Sequence, residues 1–282
     1  MKHHLYLYLS ALILSTVPAS LLAQEYDYHP ALSDNFTASL GAMKSSNSFK
    51  MRADTIVDPD PFGEDIDFGD SLGVNDSSTF FNGNFKWKFG KKRKWSLSGQ
   101  YFSNNATGGS VLEEDVEWED HVFREGSYAQ AGVKLAVTRA FLGRSFYKNE
   151  RNDFGLGVGI HNLDLSVFIE GEIMIDDETT GQLRTSDSAS QILPNIGGWY
   201  NYSPGKRWLL HGRVDWISAN IGNYDGTLWN VSAGVNYQAW RHVGFDLSWQ
   251  YFDLQLKVDK SNWVGGAKMT YSGPVLAITF GW

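Results

Sequence analysis

The chain has 282 residues, with 24 Lys and Arg against 32 Asp and Glu, a formal net charge of −8, and no cysteine. Without cysteine there is no disulfide framework, no thiolate metal site, no cysteine nucleophile and no lipidated cysteine. The acidic balance, with basic residues scattered in short turns, excludes a nucleic-acid footprint, and no glycine-rich phosphate loop joins a strand to a helix.

At the N-terminus, Lys2 precedes a charge-free apolar run from Leu5 to Val17 that ends at Pro18. This is too short to cross a bilayer as a helix and reads as a secretory signal peptide, residues 1–23, cleaved after Ala23 (Ala19 is the alternative) so that the mature chain begins at Gln24. Residues 24–282 contain no further apolar run long enough for a spanning helix and read as one domain.

That domain is organised by its aromatics, 11 Trp, 13 Tyr and 17 Phe, which recur at alternate positions and so fall on one face of successive strands. Val243, Phe245, Leu247, Trp249 and Tyr251 alternate with Gly244, Asp246, Ser248 and Gln250. The opposite face is rich in small and amide residues, as a wet lumen would be, while Trp and Tyr load both strand ends, as interfacial girdles do. A soluble sandwich would instead turn the apolar face to a core.

The fold class is therefore an all-β, transmembrane, antiparallel up-and-down barrel in the outer membrane. Twelve strands are predicted, at 36–43, 47–53, 64–74, 78–89, 94–106, 127–142, 153–175, 189–202, 206–220, 226–240, 242–258 and 262–282, and ten to fourteen fit the pattern. The first two segments could be one interrupted strand, with 111–123 supplying a replacement.

Counting back from a last strand that ends in the periplasm, the connections near 90–94, 143–152, 203–207 and 239–242 face inward, and those near 107–126, 176–188, 221–225 and 258–262 face outward. The inner set is basic: Lys91 to Lys94, Arg144 and Arg151, Lys206 and Arg207, Arg241 and His242. Three of these turns share a pattern of aromatics, turn, base and restarted strand, in KWKFGKKRKW from Lys86, WYNYSPGKRW from Trp199 and VNYQAWRHV from Val235. This is weak internal repetition of a hairpin.

The polar face at mid-barrel supplies the lumenal candidates Lys86, Lys134, His161, His211, Arg213, Asp215 and Asp246, together with Lys88. Inside a barrel such charges form a network or line a pore. In the longest outward connection, Glu113, Asp115, Glu117 and Glu119 would share one face if extended and could hold a divalent cation, though a solvated acidic loop is the simpler reading. The stretch Asp58 to Asp67 is a poor calcium loop, since Phe62 and Gly69 stand where oxygen ligands belong. No other cofactor is expected. For catalysis, His121 beside Asp120 is the sole rim dyad, and no nucleophile motif accompanies it.

At the C-terminus Leu276, Ile278, Phe280 and Trp282 share a face, the form of a signal read by the barrel-assembly machinery through strand addition. The segment IDFGDSLGV from Ile66, the aromatic-basic turns and the YSGP of Tyr271 to Pro274 resemble a group of uncharacterised predicted outer-membrane barrel proteins of Gram-negative bacteria. The resemblance covers most of the mature chain and implies fold and location, with outer-membrane lipid and lipopolysaccharide as surroundings, but carries no catalytic motif. Two functions stay open: a non-enzymatic barrel, either a narrow channel for small polar solutes or a structural element, and a surface hydrolase acting on lipid or peptide.

Overall fold

The computed structural model describes residues 28–55, 65–118, 121–175, 178–221, 224–260 and 263–282. The expected signal peptide, and Asp58, Asp60, Glu64, Glu119 and Asp120, lie outside them. The strands are β1 (Phe36–Thr55), β2 (Ile66–Asp67), β3 (Ser77–Phe89), β4 (Trp95–Val111), β5 (Val116–Trp118), β6 (His121–Phe123), β7 (Tyr128–Lys148), β8 (Asn152–Ile175), β9 (Glu178–Gly205), β10 (Trp208–Ile221), β11 (Tyr224–Gln238), β12 (Val243–Lys260) and β13 (Trp263–Gly281). Ten of them close into a ring in the order β1, β3, β4, β7, β8, β9, β10, β11, β12, β13, with β13 returning to β1. Every pairing is antiparallel, and β2, β5 and β6 attach outside this path.

The count of twelve is corrected to ten by two changes at the N-terminal end. The segments 36–43 and 47–53 are one strand, since Lys44, Ser45 and Ser46 stay paired with Thr79, Ser78 and Ser77 of β3. The polar triplet is where the strand leaves the apolar belt rather than a turn. The segment 64–74 is not a wall strand. After the short β2, hydrogen bonds from Ser71 N to Asp67 O and from Gly73 N to Gly69 O coil it into turns, with Gly73 at φ 63°. Its alternating Phe68, Leu72 and Val74 are fully buried in the barrel core. Residues 111–123 do not replace it; they form the small β5–β6 hairpin, which also tucks Val116, Trp118 and Phe123 into the core.

Both ends of the ring are distinct. The turns after β3, β7, β9 and β11 lie at one end together with Phe36 and Trp282, whose backbones exchange two hydrogen bonds of 2.9 Å. Thus the basic turns share one end with the C-terminus, as the sequence predicts.

Along each strand the two faces exchange character. On β12 the outward residues are Phe245, Leu247, Trp249 and Tyr251, all exposed, and beyond them Asp253, Gln255 and Lys257. The inward residues run the other way, from Asp246, Ser248 and Gln250 to Phe252, Leu254 and Leu256. The outward apolar stretch from Val243 to Tyr251 matches the roughly 9–11 residues a tilted strand needs to cross the hydrocarbon. The barrel then continues past the belt as a section with a polar exterior and an apolar interior. Surface ion pairs Lys268–Asp65 at 2.9 Å, Lys50–Asp67 at 3.1 Å and Arg184–Glu170 at 2.8 Å stud that section, as a wall in water allows.

Candidate functional site, a charged chamber in the lumen

The site is enclosed from above by aromatic side chains that the inward positions of five strands bring together. Phe49, Phe80, Phe102, Phe252 and Tyr271 contact one another with ring centroids 5.5–6.2 Å apart, and none is more than 7% exposed. Across the lumen Val133, Leu135, Val137, Leu163, Val167, Ile217 and Leu228 complete a packed apolar layer. This corrects the expectation of a polar lumen for the outer half of the barrel.

Directly below, amides bridge four strands. Asn82 donates to Gln250 Oε1 (2.7 Å), Gln250 to Asn230 Oδ1 (3.1 Å) and Asn230 to Gln100 Oε1 (3.0 Å). Such a network is stabilising only because its members satisfy one another away from water. Beneath it lies a chamber of ≈ 270 Å³.

Its walls carry paired charges. The carboxylate of Asp215, wholly buried, accepts from Arg213 Nε and Nη2 (2.8 and 2.9 Å) and lies 2.9 Å from Arg139 Nε. Asn195 adds a longer bond to it at 3.3 Å. Both guanidiniums sit over the ring of Phe141, at 4.6 Å for Arg139 and 4.3 Å for Arg213, a contact that favours planar cations. His211 Nε2 meets Asp246 Oδ2 at 2.7 Å. Lys86 holds its ammonium 4.3 Å from the ring of Trp199. Trp199 turns inward because Gly143 and Gly155 on the neighbouring walls leave it room.

The floor is the segment before β1. A short 3-10 turn, Pro30–Leu32, is started by His29, whose Nδ1 accepts from Ala31 N at 3.2 Å. That bond assigns the proton to Nε2, which donates to Asn236 Oδ1 at 3.0 Å. His29 N also donates to Ser203 Oγ at 2.9 Å. Burial pushes the imidazole down to about 4, against the hydrogen bond to Asn236, so the ring is neutral. Asp34 faces Arg241 at 3.5 Å, and burial raises its carboxyl despite that cation. Lys88 Nζ donates to Ala31 O, and Arg93 to Ser33 O.

Of the sequence candidates, Lys86, His211, Arg213, Asp215 and Asp246 are thus brought together. His161 is also lumenal, fully buried, and neither ring nitrogen has a hydrogen-bond partner. Lys134 is a correction: on β7 the inward row is Ala129, Ala131, Val133, Leu135, Val137, Arg139 and Phe141, so Lys134 is exposed on the outer face. Arg139 takes the role assigned to it, and a single charge in an apolar row was the available signal. Sequence reasoning also missed the amide bridge and the floor residues His29 and Asp34. Glu113, Asp115 and Glu117 are exposed, with Asp115 Oδ1 accepting from Glu125 N at 2.7 Å. Only Glu117 of these three lies in a strand, so Glu113, Asp115 and Glu117 do not share the expected period-two row, and among the described residues no group of three His, Asp or Glu is placed to hold a metal ion. His121 opens β6 in the outer hairpin.

This geometry defines a ten-stranded closed barrel whose lumen is packed in its outer half and holds a charged chamber below. No family model matches the chain, and no curated protein matches it in sequence. Among solved structures it is similar to the outer membrane protease OmpT from Escherichia coli, at TM-score 0.56 and 10% identity over 92% of this chain and 99% of that one. At that identity the likeness is one of fold. Weaker similarities include the transport unit of the autotransporter AIDA-I from Escherichia coli (TM-score 0.42, 9% identity, 95% of this chain and 94% of that one) and the toluene transporter TodX from Pseudomonas putida (TM-score 0.35, 8% identity, 90% and 92%).

Proposed function

We propose that the chain is an integral, non-enzymatic barrel of the Gram-negative outer membrane, with its basic turns in the periplasm and its lumen closed at rest. The observation that carries the closed reading is the aromatic layer of Phe80, Phe102, Phe252 and Tyr271, buried and in mutual contact between the chamber and the outer end. Support for the membrane setting comes from the exposed belt, whose residues Leu40, Leu97, Leu142, Val158, Ile196, Leu247 and Leu276 come from strands all around the ring. In water so large an apolar surface would drive association.

A narrow channel is the second reading, favoured by the charged chamber itself, and it requires both the aromatic layer and the N-terminal floor to move. Reconstituted wild-type protein, shown folded by heat-modifiable migration, is expected to give no reproducible conductance steps in planar bilayers. The double variant Phe102→Ala and Phe252→Ala should conduct. Regular steps from the wild type would replace the closed reading with the channel. A surface hydrolase has the support of the protease-like fold alone, because the buried acid-base groups lie in the lumen, away from the outer rim. Hydrolysis of a lipid or peptide substrate by the folded wild type, lost on His121→Ala, would establish it.

A further inference from the structure

The chamber carries more fixed cations than carboxylates. Asp215 is shared between Arg139 and Arg213, Asp246 is taken by His211, and Asp34 faces Arg241. Lys86 is left without a close partner: its ammonium lies over the ring of Trp199 and makes no hydrogen bond or short ion pair, and the one carboxylate that acts on it, the buried Asp153, is shared with Lys88 and Lys148. Lys88, two residues along the same face, has a backbone carbonyl as its hydrogen-bond partner, with Asp153 and Asp34 acting on it from beyond ion-pair distance. An ammonium enclosed by a barrel wall and lipid is costly without a counter-charge.

Two further donors point to what is missing. Arg213 uses Nε and Nη2 on Asp215, which leaves Nη1 for another acceptor. The indole N–H of Trp199, on the same wall, is buried with no partner. The volume of ≈ 270 Å³ lies below the roughly 300–1,000 Å³ of pockets for drug-sized ligands, and Phe85, Leu209 and Val275 line part of it.

We propose that the chamber is a binding site for a small oxyanion, inorganic phosphate or a short carboxylate, held by the Lys86 ammonium and the open edge of Arg213. The ligand supplies counter-charge beyond the single carboxylate of Asp153, which serves three ammoniums, Lys86, Lys88 and Lys148. Entry is from the turn end, where the floor at residues 28–34 is held by side-chain bonds rather than by strand pairing. This inference takes from the barrel reading only that the wall is closed around the site.

Ser98 offers a decisive variant, because it stands opposite Lys86 in the β3–β4 register and lines the chamber. The folded full chain in detergent is titrated calorimetrically with phosphate, with acetate and with chloride at matched ionic strength. Saturable binding of phosphate or acetate beyond that of chloride is expected, and which of the two binds assigns the ligand. Lys86→Gln should weaken it at least about tenfold, Lys86→Arg should keep it, and Ser98→Asp, which gives Lys86 an internal carboxylate, should abolish it. Heat-modifiable migration tests each variant for folding, so that Ser98→Asp decides if Lys86→Gln fails to fold. The proposal is overturned if neither phosphate nor acetate binds better than chloride, or if folded Ser98→Asp binds as the wild type does. Conductance measurements on the same preparation report on the closed-barrel reading separately.

Discussion

The indole of Trp199 fills the space that a side chain on Gly155 would need: a β-carbon there would stand 2.2 Å from ring carbon Cζ2 and 2.7 Å from the carbonyl oxygen of Arg144. Because Trp199 is in turn the platform for Lys86, one glycine on β8 sets the shape of the chamber. Gly155→Ala is expected to destabilise the barrel by about 1–3 kcal/mol, the usual range for overpacking. Gly181→Ala, where nothing lies within 4 Å, should be near neutral. Urea unfolding midpoints in lipid vesicles check both.

Asp215 neutralises two guanidiniums at once, so its loss should exceed the loss of either partner. Asp215→Asn leaves Arg139 and Arg213 facing each other in a buried site and is expected to cost about 3–5 kcal/mol. Arg139→Met keeps the Arg213 pair and should cost clearly less. The ordering of the two unfolding midpoints is the measurement, and the reverse order would contradict the shared-carboxylate geometry.

His29 makes the floor sensitive to acid. Its folded value of about 4 lies below the ordinary 6.5, so the released segment binds a proton first as the pH falls. The docking contribution is complete above about pH 6.5 and lost progressively toward pH 4, amounting to about 2 kcal/mol at pH 5. Lys88, His211 and Asp246 face the ring, and the first two add to its resistance to charging. Since the chain has no cysteine, Ala31→Cys gives a single reporter thiol. Its labelling, scaled to a free thiol at the same pH, should rise on acidification from about pH 7 to pH 5, and His29→Gln should flatten that response.

The clustering of Lys91, Arg151, Lys206 and Arg241 at the end that holds both Phe36 and Trp282 predicts sidedness. A protease-cleavable tag at Thr180 should be cut on intact cells, while one at Pro204 should be protected until the outer membrane is opened. The opposite pattern would invert the barrel.

Trp282 closes the ring through its backbone bonds to Phe36 and packs on that ring at 5.6 Å. Removing Phe280 to Trp282 takes away both the edge that β1 pairs with there and the proposed assembly signal. Export should continue, while heat-modifiable protein in the outer membrane should fall sharply. Equal amounts with and without these residues would refute the signal.

The sequence by itself determined the antiparallel wall, because unlike surroundings on opposite sides of a strand impose a period of two that β7 to β13 display. It also determined the basic end, since tight turns must hold the polar residues that the belt excludes. What it could not determine was which face is inner once the belt ends. Alternation fixes that Lys134 and Val133 are on opposite faces, but their direction depends on whether lipid or a packed interior waits on each side. Ile66, Phe68, Leu72 and Val74 show the same limit: their spacing fits a wall strand equally well, and only the company of Trp118, Phe102 and Tyr271 inside the ring draws them inward as a plug. The chamber is likewise a product of tertiary structure, because Lys86, Arg139, Trp199, Arg213 and Asp246 are strands apart in the chain and meet only when ten strands close.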